Sequence, residues 1–200
     1  MKKSGMRKCS RFFLFFFVEK FGYNLICCYL CTVFKSLKGR NMATVSIKSL
    51  KQTEKNGLFS LVFENEAFSE FEKFIEKFKH EADVSRDLNV ILSYIEQMVN
   101  GAGFLERYFR PEGKMRDNVV ALPVVSGKLR LYCLRLSDSV LIAGGGGRKT
   151  TRTYDEDSSL AGYVISLQKL DELIRVEVKK GNIVIESGTM GDIENKTFEL

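Results

Sequence analysis

The 200-residue chain contains no tryptophan, one histidine and two prolines. The single histidine, His80, falls at the end of an expected helix, where it reads as a polar surface residue. That excludes the serine–histidine and cysteine–histidine sets of acyl-transfer enzymes from the body of the chain. Cysteine is sparse as well: Cys9, Cys27, Cys28 and Cys31 crowd the start, and Cys133 stands alone in the remainder. A lone cysteine makes no internal disulfide, so a reducing, cytoplasmic setting is expected. The C-x-x-C spacing of Cys28 and Cys31 has no second pair and no nearby histidine, so neither a metal nor a cofactor is expected. Cys133 reads as a small core residue.

What the chain does have is charge, unevenly placed. The net charge is +6, yet residues 1–41 carry nine Lys/Arg against Glu19 alone, leaving 22 basic and 24 acidic residues in 42–200. Within that body, 53–106 and 153–200 are acidic, while 107–152 holds ten basic and three acidic residues. A concentrated basic centre in an acidic body is the footprint of a local anion site.

Residues 1–41 differ from the rest. The apolar run 12–18 is interrupted by Glu19, Lys20 and Asn24 before 25–34, which is poor for a spanning helix, and no small-residue cleavage site follows it. Composition changes abruptly at Met42. The expected organisation is therefore an N-terminal extension over 1–41, from an over-extended start or a membrane anchor, followed by a single domain over 42–200.

Periodicity predicts an α+β domain: an N-terminal strand, an antiparallel helix hairpin packed on a mostly antiparallel sheet, and an extra C-terminal helix and short strand. The strand is Leu58 to Phe63. Asn65 is expected to cap a helix carrying Phe68, Phe71, Phe74, Ile75 and Phe78 inward, with Glu66 at its positive end. A second helix, about Ser85 to Asn100, has Leu88, Ile91, Leu92, Ile95, Met98 and Val99 on one stripe. A basic, aromatic loop over 107–116 follows. The next three strands form a meander: Val119 to Val125, where Pro123 marks an edge or a bulge, then 128–136, then Ser139 to Ala143. A third helix, capped by Asp157 or Ser158, presents Leu160, Val164, Leu167, Leu170 and Ile174. A short strand, Ile183 to Glu186, precedes a polar tail.

The segment 128–152 is the focus. Alternation puts Arg130 and Tyr132 on one strand face and Leu129 and Leu131 on the other. The next strand ends in four glycines followed by Arg148 and Lys149. A P-loop would need glycine where Arg148 stands and a helix directly after, so the glycines are expected to relax the strand end near a ligand. Cations and tyrosines without metal ligands suit metal-free phosphodiester chemistry, in which an RNA 2′-hydroxyl attacks its own phosphate.

The segments 128–132 (Lys-Leu-Arg-Leu-Tyr) and 140–151 (Val-Leu-Ile-Ala-Gly-Gly-Gly-Gly-Arg-Lys-Thr-Thr) resemble the last two pieces of the RelE/ParE/HigB superfamily of bacterial toxins, in its phage-derived HigB-like branch. The likeness spans roughly residues 58–175. It implies the toxin component of a toxin–antitoxin module, a metal-independent, ribosome-associated mRNA endonuclease. The implied partners are a small antitoxin, often with a helix-turn-helix, and RNA, possibly with the ribosome; a membrane enters only if 1–41 is genuine. The catalytic residues implied are Arg130, Lys149 and Arg135. The binding residues are Arg148, Thr150, Lys114, Arg116, Tyr132 and Tyr154. Two features depart from the family pattern: Pro123 replaces a cation of the first meander strand, and the third helix and last strand extend a minimal toxin. The alternative is a non-catalytic protein- or RNA-binding module on the same fold.

Overall fold

The computed structural model describes residues 43–112, 117–124, 127–149, 156–191 and 193–200, and 43–200 form one compact unit. Its seven-stranded sheet contains β1 (Thr44–Gln52), β2 (Gly57–Phe63), β3 (Arg110–Pro111), β4 (Val119–Pro123), β5 (Leu129–Arg135), β6 (Val140–Arg148) and β9 (Thr197–Glu199). The order is β3-β4-β5-β6-β2-β1-β9. Every neighbouring pair is antiparallel except β2 and β6, which run parallel from Gly57↔Val140 to Ser60↔Ala143. The α+β class, the mostly antiparallel sheet and the meander β4-β5-β6 are as the residue pattern predicts.

Helices α1 (Glu70–Phe78) and α2 (Ser85–Asn100) cover one face, and α3 (Ser158–Lys179) covers the other. The first face buries Leu58, Leu129, Leu131, Cys133 and Leu141 against Phe71, Phe74, Phe78, Leu88, Ile91 and Ile95. The second buries Phe59, Leu61, Tyr132, Leu134 and Ile142 against Leu160, Val164, Leu167, Leu170 and Ile174. A strand covered on both sides needs apolar residues at every position, which is why 140–143 reads as an unbroken apolar run. Ser60, fully buried, donates to the Ala143 carbonyl at 2.7 Å and accepts from the Phe71 amide at 3.2 Å, fastening the start of α1 to the centre of the sheet.

Several expectations are corrected. Asn65 is not a helix cap; it adopts φ 66° in the turn after β2, and Phe68 is 55% exposed. The cap is Ser69, which accepts from the Glu72 amide while the Glu72 carboxylate accepts from the Ser69 amide, a capping box. The helix therefore starts four residues later than the Asn65 cap implies. β1 was not expected; its Val45 and Ile47 are buried and Lys48 between the strand's halves is exposed, in the alternation proper to a strand. The expected strand at 183–186 is only β7 (Ile185–Glu186), paired with β8 (Thr189–Met190). The expected polar tail supplies β8 and the edge strand β9.

The glycine run does not relax a strand end. Gly144 to Gly147 are buried inside β6, and the two helical layers close onto them. A Cβ on Gly145 would strike the Tyr163 ring of α3, and one on Gly146 would strike the Arg130 carbonyl and approach Phe74 of α1 to 3.0 Å. The backbone is approached closely by the protein's own helices and by β5. Pro123 closes β4 opposite Arg130, while β3 pairs only with Val120 and Ala121, so an outer neighbour is absent there among the described residues. No helix of the described residues is long and apolar enough to cross a membrane. The expectations for residues 1–41 lie outside the described residues.

Candidate functional site

Register decides where the central cations go. Leu129 pairs with Arg148 and Arg130 with Gly147 on neighbouring rungs of β5 and β6. Side chains on paired residues share a face and successive residues alternate, so Arg130 and Arg148 leave the sheet on opposite sides. Arg135 lies five positions further along β5, about 16 Å from Arg130 at ordinary strand rise. The three arginines are thus not brought together on one surface.

Each arginine meets a carboxylate of the chain itself. Arg130 is 7% exposed and reaches Glu112 at 3.2 Å, in a pair that keeps only about a tenth of either side chain in solvent. Tyr132, next on the same face, is fully buried under α3; burial raises its phenol pKa, and the Arg130 guanidinium beside it acts in the opposite sense. Arg135 bridges to Asp138 at 3.2 Å across the β5–β6 turn. Lys149 is exposed. Thr150, Lys114, Arg116 and Tyr154 lie outside the described residues.

Arg148 is held by the turn between α1 and α2. Its Nη1 donates to Asp83 Oδ2 at 2.6 Å and its Nη2 to Asp83 Oδ1 at 2.7 Å, a two-pronged pairing, and Nη2 also donates to Glu81. The Arg148 guanidinium holds the Asp83 carboxyl down to about 2, and Asp83 and then Glu81 raise the Arg148 pKa in return. Lys128 Nζ lies 3.6 Å from Asp83 Oδ2. Asp87, in the first turn of α2, accepts from the backbone amides of both Lys128 and Leu129.

Sequence reasoning did not identify Glu81, Asp83, Asp87 and Glu112 as partners of these cations. The opposite charge of 53–106 and 107–152 is a signal for Glu81, Asp83 and Asp87 alone; Glu112 lies inside the basic segment with Arg130. Sequence reasoning also singled out the 107–116 loop without its neighbour Tyr94. That tyrosine, 45% exposed, lines a cleft of about 320 Å³ with Gln97, Arg107 and Tyr108. There the Arg107 guanidinium sits 5.0 Å from the Tyr108 ring centre and donates to its hydroxyl at 3.1 Å.

The chemistry open to these groups is limited. Groups of three or more His, Cys, Asp or Glu side chains able to hold a metal ion are absent among the described residues. Burial pushes the Cys133 thiol up to about 12, so it is no nucleophile. A carboxylate beside a guanidinium, as in Glu112 and Arg130, can accept a proton while the cation stabilises a developing oxyanion. In comparisons with protein-family models, with curated proteins and with solved structures, nothing matches this chain.

Proposed function

We propose that this chain is the toxin component of a toxin–antitoxin module and that it cleaves RNA without a metal ion. The reading rests on the resemblance of 128–132 and 140–151 to RelE/ParE/HigB-like toxins. One observation carries it into chemistry: the Arg130–Glu112 pair at 3.2 Å, in which each side chain keeps about a tenth of its surface in solvent. Glu112 accepts the proton of an RNA 2′-hydroxyl, whose oxygen attacks the adjacent phosphorus. Arg130 stabilises the charge gathering on the phosphoryl oxygens, and the bond to the 5′-oxygen breaks. The products are a 2′,3′-cyclic phosphate and a 5′-hydroxyl, the latter taking up one proton.

A second reading has its own support. Arg135 and Arg148 are already neutralised within the chain, and the Tyr94–Arg107–Tyr108 cleft offers exposed rings and a cation. Those features suit a binding module that performs no reaction.

The deciding experiment is induced expression of the full chain in bacteria, with growth and RNA 5′-end mapping as readouts. Growth arrest with new 5′-hydroxyl ends is expected. Both should be relieved by Glu112→Gln and by Arg130→Lys in variants that keep the parent circular dichroism spectrum. Normal growth and intact RNA with well-expressed parent protein would overturn the nuclease reading in favour of the binding module.

A further inference from the structure

We propose that the chain forms a symmetric dimer through the β9 end of its sheet, two copies of β9 pairing antiparallel so that the sheets become continuous. The two ends of the sheet differ in chemistry. Both prolines of the chain, Pro111 in β3 and Pro123 in β4, stand at the β3–β4 end, where a missing N–H blunts strand addition. β9 closes the other end with no proline, and no strand lies beyond it among the described residues. Register shows what that edge offers. Ala43 and Leu200 exchange both backbone hydrogen bonds, at 3.2 and 2.9 Å, so alternation makes Val45 and Phe198 the next bonded pair. Thr197 and Glu199 therefore direct their N–H and C=O groups away from β1, and both residues are exposed. A two-fold axis at Phe198 sets Thr197 of each copy opposite Glu199 of the other. The outward groups of both residues then bond in both copies, and no like charges stand opposite each other. An axis at Glu199 would oppose two carboxylates.

Side chains of α3 extend the surface beside that edge. Leu173, Val176 and Lys180 line a groove of about 360 Å³ with Thr197 and Phe198 of β9. Val176 is an apolar side chain left 46% exposed there. Glu172 and Lys180 lie one turn before and one turn after Val176, on the same helix face. Glu172 is exposed, and Lys180, bridged to Glu177 at 2.9 Å, still keeps 59% of its side chain in solvent. A second α3 running antiparallel across Val176 brings each Glu172 to the Lys180 of the other copy. Isologous contact asks for a surface complementary to itself, and this one is so in backbone hydrogen bonds and in charge. That favours a second copy of the chain over an unrelated strand as the occupant.

Glu112 adjoins β3, at the other end of the strand order, so the dimer is tested whether or not the chain cleaves RNA. Sedimentation equilibrium of the full chain over a range of concentrations gives the association, and amide hydrogen exchange locates it. A reversible monomer–dimer equilibrium is expected, with the Thr197 and Glu199 amides gaining protection as the dimer forms. Thr197→Pro removes an outward N–H that serves no strand of the same chain, and should raise the dissociation constant about tenfold or more with the circular dichroism spectrum kept. Val176→Lys, an exposed change on α3, should act in the same direction and carries the test if Thr197→Pro does not fold. Glu172→Lys should weaken the dimer, and Glu172→Lys/Lys180→Glu should restore it. A parent that stays monomeric at every concentration would overturn the proposal. So would a dimer indifferent to Thr197→Pro and Val176→Lys in folded variants, which would place the contact elsewhere on the chain. A dimer that fails to dissociate on dilution would also overturn it, because simple edge pairing is reversible.

Discussion

Arg130 and Arg148 stand on adjacent rungs of the same two strands and leave the sheet on opposite faces, one into a nearly dry pair with Glu112 and the other into a solvated clasp with Asp83. Their removal should therefore have unequal effects. Arg130→Ala strands Glu112 among buried groups, and loss of one partner of such a pair costs about 3–5 kcal/mol. Arg148→Ala leaves two carboxylates that water can solvate, so its urea midpoint should barely move. Urea unfolding of both variants checks the difference. Equal effects would mean that the faces are not distinguished by burial.

The glycine strip sets a graded series. Gly146→Ala drives a methyl against the Arg130 carbonyl, which the β5–β6 ladder holds in place, so destabilisation by about 1–3 kcal/mol is expected. Gly145→Ala strikes first the Tyr163 ring, a side chain rather than backbone, and should cost less. Gly162→Ala, at an exposed position of α3 with nothing within 4 Å of the added methyl, should stabilise by about 0.5–1 kcal/mol. Thermal melts of the three variants give the ranking directly.

Stability should fall in acid through particular carboxylates. Lys48, with help from the Ser69 amide, holds Glu72 down to about 2 from an ordinary value near 4.5. A carboxyl depressed by folding contributes stability that is fully present above its unfolded pKa and lost as pH drops toward the folded one. For Glu72 that window runs from about pH 4.5 down to about 2. Glu177, held down to about 2 by Lys180 and Asn182, acts in the same sense. Melting temperature measured across this window should fall less steeply in Glu72→Gln than in the parent.

Cys133 should be unreactive in the folded protein. Its thiol is fully buried and pushed up to about 12, leaving almost no thiolate at neutral pH. After iodoacetamide treatment at neutral pH, peptide mass mapping should find the Cys133 peptide unmodified, and denaturant should make it fully labelled.

The helices show how much was legible beforehand and why. The stripes of α2 and α3 repeat every three to four residues over long spans, and their expected buried faces agree with the structure but for the half-buried Leu92. The start of α1 is ambiguous in sequence, since Asn65 competes as a cap with Ser69, which carries the capping-box spacing to Glu72. β1 alternates apolar and polar residues only from Val45 to Lys48, a run too short to mark a strand by itself. The glycine run misled for a deeper reason. Glycine weakens an isolated strand, and its use here depends on two helical layers that periodicity alone does not place on one strip. The ion pairs were the least legible part of the site. Arg148 and Asp83 are 65 residues apart, and no local pattern announces their meeting.

The outermost pairing of the sheet joins Thr44 to Glu199 and Val45 to Phe198. During synthesis β1 emerges long before its outer neighbour has been made, and β2 likewise waits for β6, its partner 83 residues downstream at Ser60 and Ala143. A nascent chain therefore carries unpaired strand edges for most of its translation, and a second nascent copy can offer the missing strand in trans. Exchange of β9, which each chain completes last, is the misassembly this topology invites between copies that meet after synthesis at high local concentration.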